Sequence, residues 1–108
     1  MGYGQSRQMP SRELTGSLVP VPTSPTDLTT VDTWIRQIYV SNPTGGSITF
    51  TVKDKQSTPR NVLGAVAIAA NSTSLVMICP DGLYCPGGVN WSAGGAGLEA
   101  EVFGFRAG

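Results

Sequence analysis

A chain of 108 residues holds one folding unit, and with no histidine it cannot build a Ser-His-Asp or Cys-His nucleophilic site or an imidazole metal centre. Seven basic residues against seven acidic ones, with only 13% of positions charged, give no clustered positive field for nucleic acid or an anionic membrane. No run approaches the roughly eighteen consecutive apolar residues that a membrane-spanning helix needs.

The opening stretch MGYGQSRQMPSREL lacks the apolar core of a secretory signal, so synthesis in a reducing cytosol is expected. Gly2 with Ser6 fits the loose myristoylation pattern, as do many sequences that begin Met-Gly, and is read as coincidence. The glycosylation-like triplets Asn71-Ser72-Thr73 and Asn90-Trp91-Ser92 are read the same way.

Residues 1–30 carry Pro10, Pro20, Pro22 and Pro25 and no strong period. Proline fixes its own φ and pushes the preceding residue towards extended backbone, so Val19 to Pro25 is expected to run as an extended strip. It cannot be a central strand, because proline offers the ladder no amide hydrogen. A solvated tail and an arm lying on a neighbouring subunit both satisfy this composition. Leu14, Leu18, Val19 and Val21 favour the arm, since a solvated tail has no use for aliphatic anchors, and with Pro20 and Pro22 they form the candidate interface. The expected organisation is an extended Pro-rich arm over 1–30 and a sandwich domain over 31–108.

From Thr33 the text becomes strand-like. TWIRQIYVSN (33–42) is rich in aromatic and β-branched residues and stops at NPTGG. SITFTVKD (47–54) alternates, with Ile48, Phe50 and Val52 on one face. Joined by Pro43 to Gly46, the two runs read as an antiparallel hairpin. VLGAVAIAA (62–70) is short enough for a buried strand, and Asn71-Ser72 turns into TSLVMIC (73–79). After a CPDGLYCPGG loop come VNWSA (89–93) and GLEAEVFGF (97–105), where Leu98, Ala100 and Val102 oppose Glu99, Glu101 and Phe103.

Short strands at regular spacing with Gly, Pro and Asn turns, and no amphipathic helix, predict an all-β fold: an antiparallel β-sandwich or small jelly roll with an extended N-terminal arm. The expected core is Trp34, Ile38, Val40, Ile48, Phe50, Val52, Val66, Ile68, Leu75, Met77, Val89, Trp91, Leu98 and Val102.

Little in this sequence points to chemistry. Glu99 and Glu101 project from one strand face, as paired acid and base would, but a solvated outer face looks the same. Lys53 and Lys55 lie at a strand end rather than in a desolvated pocket, and Asp81 alone makes no calcium site. Cys79 and Cys85 supply at most two zinc ligands. A Cys79–Cys85 disulfide would close a short loop for about 2 kcal/mol, whereas a reducing cytosol favours two free thiols shaping a turn. Tyr39, Tyr84 and Trp91 could converge as a sugar-stacking face, although core packing accounts for Trp91 as readily.

IYVSNPTGG, ITFTVKDKQSTP, the AANST turn at 69–73, and a glycine-rich PDGLYCPGG leading into VNWSAGGAG and a last strand ending EVFGF form a recurring pattern over 33–106. In pattern and turn placement it resembles the small β-sandwich virion proteins of tailed bacteriophages, the head decoration or cement proteins and head-fibre or tail-adhesion domains. The two cysteines match no part of that pattern. The resemblance implies a non-enzymatic structural protein of the virion, made in the host cytoplasm, without cofactor or metal. It would bind and stabilise the phage head through its arm and sandwich, with the major capsid protein or other virion subunits as partners and a homotrimer or homodimer as its assembly. The alternative is a receptor- or carbohydrate-binding module of a phage fibre or bacterial surface.

Overall fold

The computed structural model describes residues 12–15 and 17–107; the Gly2–Ser6 pair, Pro10 and the rest of 1–11 lie outside the described residues. Every regular element described is a strand: β1 (Arg12–Glu13), β2 (Val19–Pro20), β3 (Thr26–Thr29), β4 (Thr33–Asn42), β5 (Ile48–Asp54), β6 (Asn61–Ile68), β7 (Ser72–Cys85), β8 (Val89–Ala93) and β9 (Glu99–Arg106). Two antiparallel sheets form the sandwich. Sheet one runs β1–β9–β4–β7 with β2 also on β9, and sheet two runs β3–β8–β5–β6.

The core lies where the alternating inner faces meet. Ile38 and Val40 of β4, Ile48, Phe50 and Val52 of β5, Ile68, Val89, Trp91, Leu98 and Val102 are buried as their two-residue period requires. Phe50 meets Trp91 edge-on, ring centroids 6.3 Å apart. Val21, Ile35, Cys85, Ala93 and Ala100 complete the cluster.

Three expectations are corrected here. The runs 33–42 and 48–54 do not form a hairpin: β4 sits between β9 and β7 in one sheet, and β5 between β8 and β6 in the other. The cause is Asn42, which is fully buried. Its amide donates to the carbonyls of Gly46 (2.9 Å) and Ile68 (3.0 Å), and its Oδ1 accepts from the Thr44 amide and hydroxyl. The turn is therefore tied to β6 across the sandwich end, and the chain leaves its sheet. Second, 62–70 is not a buried strand. β6 closes sheet two, its Gly64, Ala65 and Ala67 are exposed, and Ala65 adopts a left-handed φ of 52°. Third, bulges shift two strands by one residue. At Arg36 the inward set passes from Thr33 and Ile35 to Ile38 and Val40, which leaves Trp34 half-buried on the outer face. Val76 is the extra residue opposite Ile38–Tyr39, and it turns Leu75 out to 44% exposure.

The described part of the N-terminal segment belongs to this sandwich. The Leu14 amide donates to Val102 O, Val19 and Pro20 face Ala100 and Glu99, and the Val21 amide donates to Leu98 O at 2.9 Å. The next carbonyl, of Pro22, accepts from Ala93 in the other sheet at 2.8 Å, and β3 continues along β8. Residues 19–29 thus cross from one sheet to the other and seal that side. Val21, expected against a neighbour, is buried in the chain's own core; Leu14 and Val19 pack on that core half-buried, Pro22 is half-buried, and Leu18 and Pro20 are exposed. A Lys55–Asp27 ion pair at 2.8 Å and an Asn90–Asp27 hydrogen bond fix β3 from outside.

Val21→Ala removes two buried methyl groups, so the isolated chain should lose about 2 kcal/mol in urea unfolding with an unchanged m-value. Leu18→Ala should stay within about 0.5 kcal/mol of the parent. Equal stabilities of the two variants would show that the segment does not belong to the core.

Candidate functional site

The opposite side of the sandwich is open. β7 closes sheet one and β6 closes sheet two, and both flank one cleft of about 250 Å³ lined by Asp54, Arg60, Asn61, Val62, Leu83 and Tyr84. Three features shape this region: an anchored loop below it, a bulge within β7, and an aromatic row beside it.

The loop is 55–60, held by Asp54 at the end of β5. Its side chain is 3% exposed and accepts from the Gln56 side-chain amide (2.7 Å), the Arg60 backbone amide (2.9 Å) and Arg60 Nε (3.2 Å). Burial pushes the Asp54 carboxyl up, but the hydrogen bonds from Arg60 and Gln56 outweigh it and hold it below the ordinary carboxylate range. The pair is an anchor, with the Arg60 side chain left 67% exposed at the cleft mouth.

The bulge is Cys79–Gly82. β7 does not end at Cys79: Ile78 faces Gln37 and Leu83 faces Ile35, so the four residues between them loop out of one continuous strand. Gly82 takes φ 86° with its α-carbon close over the Trp34 side chain, a conformation that L side chains rarely adopt. The turn into β8 is instead Pro86 to Gly88, tied by Asp32, whose Oδ1 accepts from the Gly87 amide at 2.8 Å. Both cysteines are free thiols: Cys79 is half-buried on the bulge, and Cys85 is buried and donates weakly to Leu83 O at 3.7 Å. Burial, with the Asp54 charge adding to it, pushes the Cys85 thiol up to about 11.

The aromatic row crosses sheet one. Trp34 on β4 lies between Tyr84 on β7 and Phe105 on β9, with centroids 5.1 and 5.2 Å apart and planes within 26° and 11° of parallel. The register places the three directly opposite one another. Each stacked pair adds about 1 kcal/mol beyond its area. Tyr84 also donates its hydroxyl to Asp32 Oδ2 at 3.0 Å, and that bond raises its phenol pKa. Both faces of Trp34 are covered by its neighbours, and Trp91 is in the core. The sugar-stacking trio Tyr39, Tyr84 and Trp91 is therefore not brought together.

Along β7 the outer face of sheet one presents apolar side chains. Opposite residues share a face, so Leu75 beside Tyr39, Ile78 beside Gln37 and Tyr84 beside Trp34 all point outward. Their exposures are 44%, 61% and 46% for Leu75, Ile78 and Tyr84, and Tyr39 is 38% exposed next to them. Glu99 and Glu101 lie across the same sheet on β9, opposite Ser41 and Tyr39, away from the cleft. Among the described residues no cluster of three or more His, Cys, Asp or Glu is placed to hold a metal.

The exposed face and the aromatic row were not legible in the sequence, because strand neighbours cannot be assigned from it. The available signal was an aromatic near the start or end of three separate strands. No protein-family model, curated protein or solved structure matches the chain.

Because Asp54 titrates lower folded than its unfolded value of about 3.9, the folded state binds fewer protons in acid. Its contribution is complete above that unfolded value and is lost as pH falls through the folded pKa. Asp54→Asn sets an amide against two donors, so it should cost about 2 kcal/mol at pH 7 and flatten the acid limb of a stability–pH profile. A variant as stable as the parent at neutral pH, with the same acid limb, would contradict the anchor.

Proposed function

We propose that this chain is a structural, non-catalytic assembly protein, most specifically a decoration or cement protein of a phage head, which attaches to virion subunits through the outer face of sheet one. The observation that carries this reading is the set of Tyr39, Leu75, Ile78 and Tyr84, all substantially exposed on one sheet face with Tyr39 directly beside Leu75. Exposed apolar groups clustered on a rigid surface mark a contact site, because leaving them in water costs about 25 cal/mol per Å². The low charge of the chain supports the same reading, since neutral polar surface is cheaper to desolvate than ionised surface. The resemblance of 33–106 to phage decoration proteins gives the more specific partner.

This reading alters the role expected of the N-terminal segment. With Leu14, Val19 to Pro22 and Thr26 to Thr29 bonded to the chain's own sheets, attachment passes to the sandwich face.

The test is rebinding to shells. Virions should contain the chain at fixed copy number, and shells stripped of it should take it back. Tyr39→Lys should weaken that rebinding by tenfold or more, the size expected when an aromatic contact at an interface is lost (about 1.4 kcal/mol or more), with the fold intact by circular dichroism. Absence of the chain from purified particles would refute the virion role, and full-strength rebinding of the variant would refute the face.

A further inference from the structure

We propose that the edge strand β7 pairs through its Ser72–Ile78 run with β7 of a second copy of this chain across a two-fold axis; this deepens the structural reading above and rests on it.

The two sides of the sandwich offer different edges. On the sealed side the outermost strands are two to four residues long and are interrupted by Pro20, Pro22 and Pro25, which is how sheet edges are kept from pairing. On the open side, β6 is broken by the left-handed Ala65. β7 presents the longest run free of proline and charge, Ser72 to Ile78, which carries a one-residue bulge at Val76 before Pro80 and Asp81 appear. Among the described residues, each chain therefore offers one strand suited to pairing. A contact between two unlike edges would need a second open edge and would propagate, whereas a two-fold contact uses the same strand twice and closes.

Ser72 to Pro80 carries no acidic or basic residue, so a copy laid antiparallel on it meets no like charge. A strand fitted to a charged partner would carry the opposite sign, and this one carries neither. Self-matching follows from the side chains as well. Leu75 and Ile78 point to the same face, and an antiparallel pairing centred near Val76–Met77 sets Leu75 of one copy beside Ile78 of the other.

The chain holds its own reporter. Cys79 lies half-buried on the bulge beside this run, while Cys85 is buried with its thiol pushed up to about 11, so a thiol reagent at neutral pH reads Cys79. The experiment combines sedimentation of the purified full chain, from low micromolar to millimolar, with the rate of thiol labelling at each concentration. A doubling of mass, with Cys79 labelling slowing at least tenfold as the dimer forms, is the expected result. Ile78→Lys should stay monomeric and label at the dilute rate; Leu75→Glu serves if that variant does not fold. A parent chain that stays monomeric with concentration-independent labelling overturns the proposal, as does a dimer untouched by both variants or an open-ended series of larger masses. Failure here is separable from failure of the structural reading. A monomer that still rebinds shells through Tyr39 rejects only the second copy, and a dimer that ignores shells rejects only the shell.

Discussion

A sandwich of two sheets buries its inner faces easily, but at its two sides the last strands leave rows of backbone N–H and C=O groups without ladder partners. How each side is treated decides what this molecule can do. On one side the chain spends its first described residues closing the gap, with Val21 and Pro22 bonded to opposite sheets and β3 continuing along β8. On the other side β6 and β7 remain the ends of their sheets, with apolar side chains beside them. The two sides of the body are therefore unlike: one is covered by the chain's own N-terminal segment and the other ends in two strand edges.

The polar groups inside the fold hold this geometry in place. Asn42 satisfies both of its amide hydrogens and both lone pairs while steering the chain from sheet one to sheet two. Thr33 donates to Val31 O, so the buried Thr29 hydroxyl donates to Thr33 and accepts from the Val89 amide, linking β3, β4 and β8. Asp54 is held ionised by Arg60 and Gln56 and sets the loop under the cleft. Each is a buried polar group whose partners are complete, the condition under which such groups stiffen a small core.

Strand content and most of the core were legible in the sequence because β5 and β9 keep an undisturbed two-residue period; Ile48, Phe50, Val52, Leu98 and Val102 fall where that period puts them. The misreadings trace to features that local pattern does not encode. Bulges at Arg36 and Val76 move Trp34 and Leu75 out of the core. Cys79 to Gly82 has the chemistry of a connecting turn, yet β4 pairs on both sides of it, so it is a bulge. NPTGG is a good hairpin turn by composition, and the bonds that tie it elsewhere, from Asn42 to the Ile68 carbonyl and from the Asn71 amide to the Thr44 carbonyl, join residues distant in sequence. The candidate site was the least legible part, since the row Tyr84–Trp34–Phe105 exists only once three strands have been put in register.

The central claim is the asymmetry between the two sides, and amide hydrogen exchange on the dilute chain reads it residue by residue. The account predicts that the Leu14 and Val21 amides, bonded to Val102 and Leu98, exchange as slowly as the core strands, while outward amides between Ser72 and Ile78 exchange fast. Fast exchange at Leu14 and Val21 together with slow exchange along β7 would contradict it.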